Sequence, residues 1–250
     1  MDKLKIHFLN TIWSDAIILE KNNHFAFVDT GSKFYYPMIE NYLYEHNITK
    51  IDFIILTHFH NDHYGNIENI IYNFQVDKLY LKRYYGLDGT TSSGYSSNEE
   101  YIKNEFKNYY AILEACELTL TDVIFVDELG CNELEVNFQG TILELYDIKN
   151  RLNDIYSNKE SKYYQIKVFN ENFNCIGIFI REKNHNIFLG ADVTCSSYDI
   201  KETKEISLQM INRVYEKHNI NSIDLYKSCH HGGDGSNPFK LCFLFISSYF

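Results

Sequence analysis

Residues 56–66 read LTHFHNDHYGN. This stretch contains four strong metal ligands within six residues: His58, His60, Asp62 and His63. Imidazole nitrogen and carboxylate oxygen are donors that suit Zn²⁺, and Fe²⁺ or Mn²⁺ can use the same set. A single histidine would favour an ordinary polar loop, whereas three histidines and an aspartate at this spacing favour a metal site.

The position of this motif in the chain predicts its geometry. The apolar run Ile51–Leu56 precedes it and is typical of a strand that is buried on both faces. In extended chain, His58 and His60 project from the same side. If the chain then turns into a helix, Asp62 and His63 point toward a second metal nearby. The sequence therefore predicts a site for two divalent ions at a strand end.

Two later segments supply further ligands in a suitable order. Asp192 ends the segment Phe188–Asp192, and the pair His230-His231 follows another strand-like run. Taken alone, the aspartate would be interpreted as a cap and the histidines as a turn. Together with the first motif, both segments are interpreted as ligands.

Hydrophobic periodicity predicts an α/β chain. Further strands are predicted at Lys5–Leu9, Ala16–Leu19, Phe25–Val28, Lys78–Leu81, Val123–Val126, Leu134–Val136, Thr141–Tyr146, Tyr164–Phe169, Ile176–Ile180, Asn186–Leu189 and Ser222–Tyr226. Helices are predicted at Phe34–His46, Ile67–Phe74, from about Asn98 to Leu118, and Ile200–His218.

This order of elements suggests two sheets packed face to face and covered by helices, in one domain over residues 1–250. The Gly- and Ser-rich loop Tyr84–Asn98 is interpreted either as a lid over a site or as a surface excursion without function.

Composition and charge limit which partners the chain is expected to bind. The net charge is −11 and hydrophobic residues make up 45% of 250 residues, so a sizeable core can form while phosphate backbones are repelled. Lys78, Lys82 and Arg83 are the only candidates for a basic patch, and a solvated strand end is the favoured interpretation of them. No signal peptide or membrane span is visible, so we expect a cytoplasmic protein with reduced cysteines and no nucleic-acid or membrane partner.

The motif His-x-His-x-Asp-His after an apolar strand, preceded by Asp29-Thr30-Gly31, resembles the signature of the metallo-β-lactamase superfamily. The resemblance implies a four-layer αββα sandwich with a dinuclear metal site at one edge of its sheets. Finer features resemble one branch of that superfamily, which contains the hydrolase domain of ComEC-type competence channels and the phosphorylcholine esterase of teichoic acids. These features are Ser14–Ile17, Gly65-Asn66, Leu189–Asp192 and His230–Gly232, and the resemblance covers roughly Trp13 to Gly233.

The resemblance implies roles for the residues of the first motif. His58 and His60 would hold the first metal, and Asp62 and His63 the second. Asp29 would orient one of the motif histidines, as carboxylates near metal ligands do.

The later segments also take roles from the resemblance. Asp192 would bridge the metals, His231 is favoured as the last ligand, and His230 would contact substrate or donate a proton. The lactamase pattern has a further histidine near Asn174-Cys175, where this chain has none, and His185 lies in an apparent turn. The missing histidine favours the branch named above over a true β-lactamase.

The resemblance implies a metal-dependent hydrolase that acts on an ester bond of a small molecule, with a small phosphodiester preferred. Hydroxide formed at the two metals, expected to be zinc, would attack the substrate, with Asp62 and His230 as catalytic residues. A thioesterase or lactonase on the same fold is the alternative. Relatives usually continue with another helix and strand after the last histidine, so the end at Phe250 is interpreted as a C-terminally truncated fold, a frameshift or a naturally short chain. That shortness also motivates a catalytically impaired metal-binding relative as an alternative.

Overall fold

The computed structural model of the chain describes residues 3–86, 97–150, 171–193 and 206–232. The chain divides into two compact units, Met1–Leu129 with Lys149–Glu171 and Gly130–Ile148 with Asn172–Phe250. Each unit is built around its own sheet. The single domain predicted over residues 1–250 stays a prediction.

The first unit contains a six-stranded sheet in the order β1-β2-β3-β5-β7-β8 and a separate short pair, β4-β6. Its first three strands are antiparallel, while β3, β5, β7 and β8 run parallel to one another. The strands are β1 (Lys5–Phe8), β2 (Ala16–Lys21), β3 (His24–Thr30), β4 (Lys50–Ile51), β5 (Phe53–Ile55), β6 (Gln75–Val76), β7 (Lys78–Leu81) and β8 (Asp122–Phe125).

Helices connect the parallel strands of this sheet. They are α1 (Tyr36–Glu45), α2 (Asn61–Tyr64), α3 (Ile67–Asn73) and α4 (Asn98–Thr119), with short 3-10 turns at Lys33–Tyr35 and Val126–Glu128. The Ser97 hydroxyl accepts a hydrogen bond from the backbone N–H of Glu100 (3.2 Å), which caps the long helix α4. Apolar side chains from α1, α3 and α4 form one core with the sheet, which includes Ile39, Ile54, Ile70 and Ile112.

The second unit contains a five-stranded sheet in the order β13-β12-β11-β10-β9. All neighbouring strands are antiparallel except β12 and β13, which are parallel. The strands are β9 (Glu133–Phe138), β10 (Thr141–Tyr146), β11 (Gly177–Glu182), β12 (His185–Leu189) and β13 (Leu225–Lys227), and the helix is α5 (Ile206–His218). Met210, Ile211 and Val214 of α5 join a core with Phe179 and Phe188.

Both units place polar segments at the carboxyl ends of parallel strands. In the first unit, β3 ends in Asp29-Thr30 and its parallel neighbour β5 leads into Thr57-His58. In the second unit, β12 leads into Asp192, and its parallel neighbour β13 leads into His230-His231. The carboxyl ends of parallel strands meet at one edge, which is where α/β proteins commonly bind ligands.

The predicted α/β class is confirmed, and three predicted boundaries are wrong. Asp52 divides the predicted strand Ile51–Leu56 into β4 and β5, because its carboxylate accepts a hydrogen bond from His24 Nδ1 (2.8 Å). The helix predicted from Phe34 begins at Tyr36, where Pro37 occupies the first turn. The strand predicted at Ser222–Tyr226 is Leu225–Lys227.

Other predictions fall partly or wholly outside the described residues. They are the strand Tyr164–Phe169, the first turn of the helix predicted from Ile200, the centre of the loop Tyr84–Asn98, and the chain beyond Gly232.

Glu144 of β10 is a buried carboxylate that predicts how stability depends on pH. Burial alone would raise its pKa, but hydrogen bonds from Tyr146 (2.6 Å), His218 (2.8 Å) and Lys217 outweigh burial and lower it. A lowered pKa stabilises the fold above the unfolded-state pKa, and that contribution is lost as the pH falls through the folded-state pKa. We expect Glu144→Gln to cost about 1–3 kcal/mol at pH 7 and much less near pH 3. Thermal denaturation of both proteins at the two pH values measures this, and an equal difference at both would contradict it.

Candidate metal centre

The motif loop has the local geometry that the sequence predicts. His60 is extended (φ −118°, ψ 147°) and stands at the N-terminus of α2, which contains Asp62 and His63. The loop packs tightly at Gly65, where an added Cβ would lie 2.5 Å from the backbone N of Lys33 and 2.7 Å from the backbone O of Gly31. Only glycine fits at this position without moving the loop.

The buried carboxylate of Asp29 organises the loop from beneath. Asp29 ends β3 with a positive φ of 56° and is 1% exposed. Its Oδ2 accepts a hydrogen bond from His63 Nδ1 (2.8 Å), and its Oδ1 accepts one from the backbone N–H of Thr57 (2.8 Å). Burial raises the pKa of Asp29, and the adjacent His63 opposes that rise. With the proton on Nδ1, His63 presents the lone pair of Nε2, as the expected role for Asp29 requires.

The same carboxylate also orients His58 through a threonine. The Thr57 hydroxyl donates to Asp29 Oδ2 (2.8 Å), so its oxygen is left to accept from His58 Nδ1 at 3.1 Å. This fixes the tautomer in which His58 also presents the lone pair of Nε2. One carboxylate thus prepares two of the motif histidines, and sequence reasoning did not identify the role of Thr57.

The donor atoms of the motif lie at distances that suit metal ligands. His58 Nε2 and His60 Nδ1 are 3.0 Å apart, and His63 Nε2 is 3.8 Å from Asp62 Oδ2. Two ligands of one tetrahedral zinc ion, with bonds of about 2.1 Å, are about 3.4 Å apart. His58 and His63 are buried, while the Asp62 side chain is 29% exposed. Each of these two pairs is therefore spaced about as two ligands of one ion would be.

Asp15 is a further carboxylate beside this cluster. Its backbone N–H donates to the carbonyl of Asp62 (3.2 Å), and it forms a compact group with Asp29 and His63, whose potential ligand atoms all lie within 4.8 Å of one another. The segment Ser14–Ile17 supported the family resemblance, but no role was predicted for Asp15 itself. In the structure its backbone helps to fix the motif loop.

Asp192 and the histidine pair form a second cluster, in the second unit. The Asp192 carboxylate is 2% exposed, and its Oδ2 lies 3.5 Å from His231 Nε2 and 3.8 Å from His230 Nε2. The His231 side chain is 15% exposed and that of His230 is 46% exposed. The shorter distance and deeper burial make His231 the better ligand candidate and leave His230 accessible.

A shared carbonyl holds the second cluster together. The carbonyl oxygen of Ala191 accepts hydrogen bonds from the backbone N–H of His230 (2.8 Å) and from Lys227 Nζ (3.2 Å). Ala191, His230 and His231 all have positive φ, between 45° and 49°. Sequence reasoning missed Lys227, although its position three residues before the histidine pair was visible.

Other residues weighed in the sequence have no part in these clusters. His185 is 71% exposed in its side chain at the start of β12, as expected, and lies 4.0 Å from Asp224. No basic patch forms from the three cations considered: Lys82 is buried, and Arg83 pairs with Glu128 (2.5 Å). Among the described helices, none is long and apolar enough to cross a membrane.

Comparison with known proteins supports this assignment. Residues 14–126 match the sequence model of the metallo-beta-lactamase superfamily, a segment that contains the whole first motif. No curated protein matches the chain by sequence. The matched segment is thus similar to the metallo-β-lactamase superfamily.

Solved structures agree in fold. A motif variant of the Cronobacter sakazakii metallo-beta-lactamase with a HARLDQ motif is 10% identical, with a TM-score of 0.51, over 96% of this chain and 80% of that one. A Thermotoga maritima protein solved as a candidate metallo-beta-lactamase is 15% identical, with a TM-score of 0.46, over 85% of this chain and 91% of that one. At such identities the likeness to the Cronobacter protein shows the fold alone, and the predicted metallo-β-lactamase fold is confirmed.

Asp29 gives the first prediction for the metal centre. We expect Asp29→Asn to lower zinc affinity about 10- to 100-fold, because asparagine has one accepting oxygen and an NH2 donor in place of two accepting oxygens. It therefore cannot accept from the Thr57 backbone N–H on one side and from His63 Nδ1 and the Thr57 hydroxyl on the other. Competition with a chromophoric chelator measures the affinity. Asp52→Asn is the matched control, since Asp52 accepts the same contact from His24 Nδ1 (2.8 Å) away from the motif. Unchanged affinity in a folded Asp29→Asn protein would contradict the role assigned to Asp29.

Proposed function

We propose that this protein is a dinuclear metal-dependent hydrolase. The six ligands are His58, His60, Asp62, His63, Asp192 and His231. The observation that carries this proposal is the hydrogen-bond system of Asp29 and Thr57, which turns the lone pairs of His58 Nε2 and His63 Nε2 outward. Folding alone does not require that hydrogen bonds fix the tautomers of two buried histidines.

The donor set is that of a site for zinc or a similar ion, with imidazole nitrogens and carboxylates. When bound, a pair of such ions lowers the pKa of water toward neutrality and stabilises negative charge on a substrate. The chain's own residues orient the reacting groups and move protons. The partly exposed Asp62 carboxylate is placed to orient a reacting water, and the exposed His230 imidazole to contact substrate or to protonate a leaving group.

A small phosphodiester is the preferred substrate class. Two cations attract an anionic ester, while a chain of net charge −11 repels large polyanions such as nucleic acids. The resemblance to the branch with ComEC-type domains and the phosphorylcholine esterase favours the same chemistry. Thioester and lactone substrates are the alternative on this fold.

Metal content and activity test the proposal together. We expect close to two zinc ions per chain by elemental analysis, and metal-dependent hydrolysis of bis-p-nitrophenyl phosphate. Chelation should abolish turnover and added metal should restore it, because bound divalent ions would stabilise the negative charge of a phosphoester transition state. We expect His60→Ala to lower turnover at least 100-fold, while the control His185→Ala, which changes an exposed histidine outside both clusters, should match the wild type.

Several outcomes would count against parts of this proposal. A pure protein that takes up no metal would refute the metal centre. Metal binding with hydrolysis of thioesters or lactones, and not of phosphoesters, would replace the substrate class. Metal binding without turnover of any ester would indicate a metal-stabilised relative that has lost catalysis.

The histidine pair gives a separate prediction. Because His231 lies nearer to Asp192 and is more buried, we expect His231→Ala to lower the metal content and His230→Ala to keep it. We expect His230→Ala to reduce kcat about 100-fold, within the usual range for removal of a proton donor. Metal analysis and steady-state kinetics on both variants measure this. Full metal content in His231→Ala, together with loss of metal in His230→Ala, would exchange the two roles.

A further inference from the structure

The side of the motif loop that faces the protein core is aromatic. Phe59, between the first two motif histidines, stacks on Tyr64, which follows the last one, with ring centroids 4.1 Å apart and planes at 18°. Phe59 also contacts Tyr84 and Tyr109, at 4.8 Å and 5.4 Å between centroids. Phe59 and Tyr64, which neighbour the proposed metal ligands in sequence, therefore anchor the loop to the core of the first unit.

One charged group interrupts this apolar surface. Glu105 lies on the buried face of α4 with Tyr101, Tyr109 and Ile112, and only 2% of it is exposed. The Tyr64 hydroxyl donates to its carboxylate, at 2.8 Å from Oε1 and 2.7 Å from Oε2, and accepts a hydrogen bond from Asn108 Nδ2 (2.9 Å).

A carboxylate buried among aromatic rings is costly, and an apolar residue of similar volume would often stabilise a helix face at least as well. The contact spans 41 residues of sequence and joins α4 to the turn of α2 that contains Asp62 and His63. Its consequence is that α2 cannot rotate without breaking a charge-assisted hydrogen bond.

We infer that Glu105 is a positioning residue for the metal centre, which acts through Tyr64 to hold α2 at the angle that metal binding needs. This inference rests on the proposed function, since it assigns the determinants of metal affinity at that same site. Asp29 fixes the histidine rings from the β3 side, and Glu105 fixes the backbone of α2 from the α4 side.

Metal affinity and ligand geometry, measured apart from stability, test this inference. We expect Glu105→Ala to weaken zinc binding about tenfold, at the lower end of the effect of removing outer groups. It should also change the visible absorption spectrum of the cobalt(II)-substituted protein, which reports ligand geometry. Glu105→Gln keeps an oxygen that can accept from Tyr64 and should restore most of the affinity. Tyr64→Phe should weaken binding as Glu105→Ala does, and serves if the latter does not fold.

A matched control separates positioning from simple stabilisation. Cys116 lies on the same buried face of α4, 11 residues from Glu105, so about 16 Å along the helix. Cys116→Ser should lower the melting temperature while leaving zinc affinity and the cobalt spectrum unchanged. If Glu105→Ala and Tyr64→Phe lower the melting temperature alone, the inference is overturned although the proposed function stands. If the wild type binds no metal, the proposed function itself fails, and the two failures are therefore distinct.

Discussion

The hydrogen bonds of the Asp29 carboxylate are the constraint on which the arrangement of the motif loop depends. Three donors converge on this buried group: His63 Nδ1, the Thr57 hydroxyl and the Thr57 backbone N–H. A buried carboxylate without such donors would be strongly destabilising, so the fold must bring β3 and the end of β5 side by side. The parallel pairing of these strands does this, with Ala26 opposite Phe53 and Val28 opposite Ile55. The register of the sheet and the tautomers of the histidines therefore depend on the same hydrogen bonds.

Much of this arrangement was visible in the sequence, because ligand residues are chemically distinctive and close together. The spacing of His58, His60, Asp62 and His63 predicted an extended segment followed by a helical turn, and Asp29 was expected to support a histidine. The preference for His231 over His230 agrees with their exposures and their distances to Asp192. The local geometry of the first motif could be predicted because a few neighbouring residues determine it, whereas the choice of His231 as ligand stays a prediction.

Other features depend on contacts that the sequence does not specify. Thr57 and Asp15 act through hydroxyl or backbone groups, and Lys227 acts through its ammonium group. Their partners Asp29, Asp62 and Ala191 lie far away in the chain, so residue type alone gave no sign of these contacts. Asp52 divided a predicted strand because of its contact with His24, which becomes apparent only when β3 lies beside it. Glu105 did leave a signal, an acid four residues from Tyr101 and from Tyr109 on one helix face, which only its burial makes meaningful.

Four of the positive-φ residues in the described part of the chain lie at the two clusters. Asp29, Ala191, His230 and His231 all have φ between 45° and 56°, although none is glycine. Asparagine accounts for several other positive-φ positions, and asparagine tolerates this conformation in turns, whereas alanine does so at a cost of order 1 kcal/mol. Strain of this kind persists only where surrounding contacts impose it, as the two donors on the Ala191 carbonyl do. In the second unit, the strained residues border Asp192 and include both late histidines. The contacts that impose this strain therefore hold the proposed ligands in fixed positions.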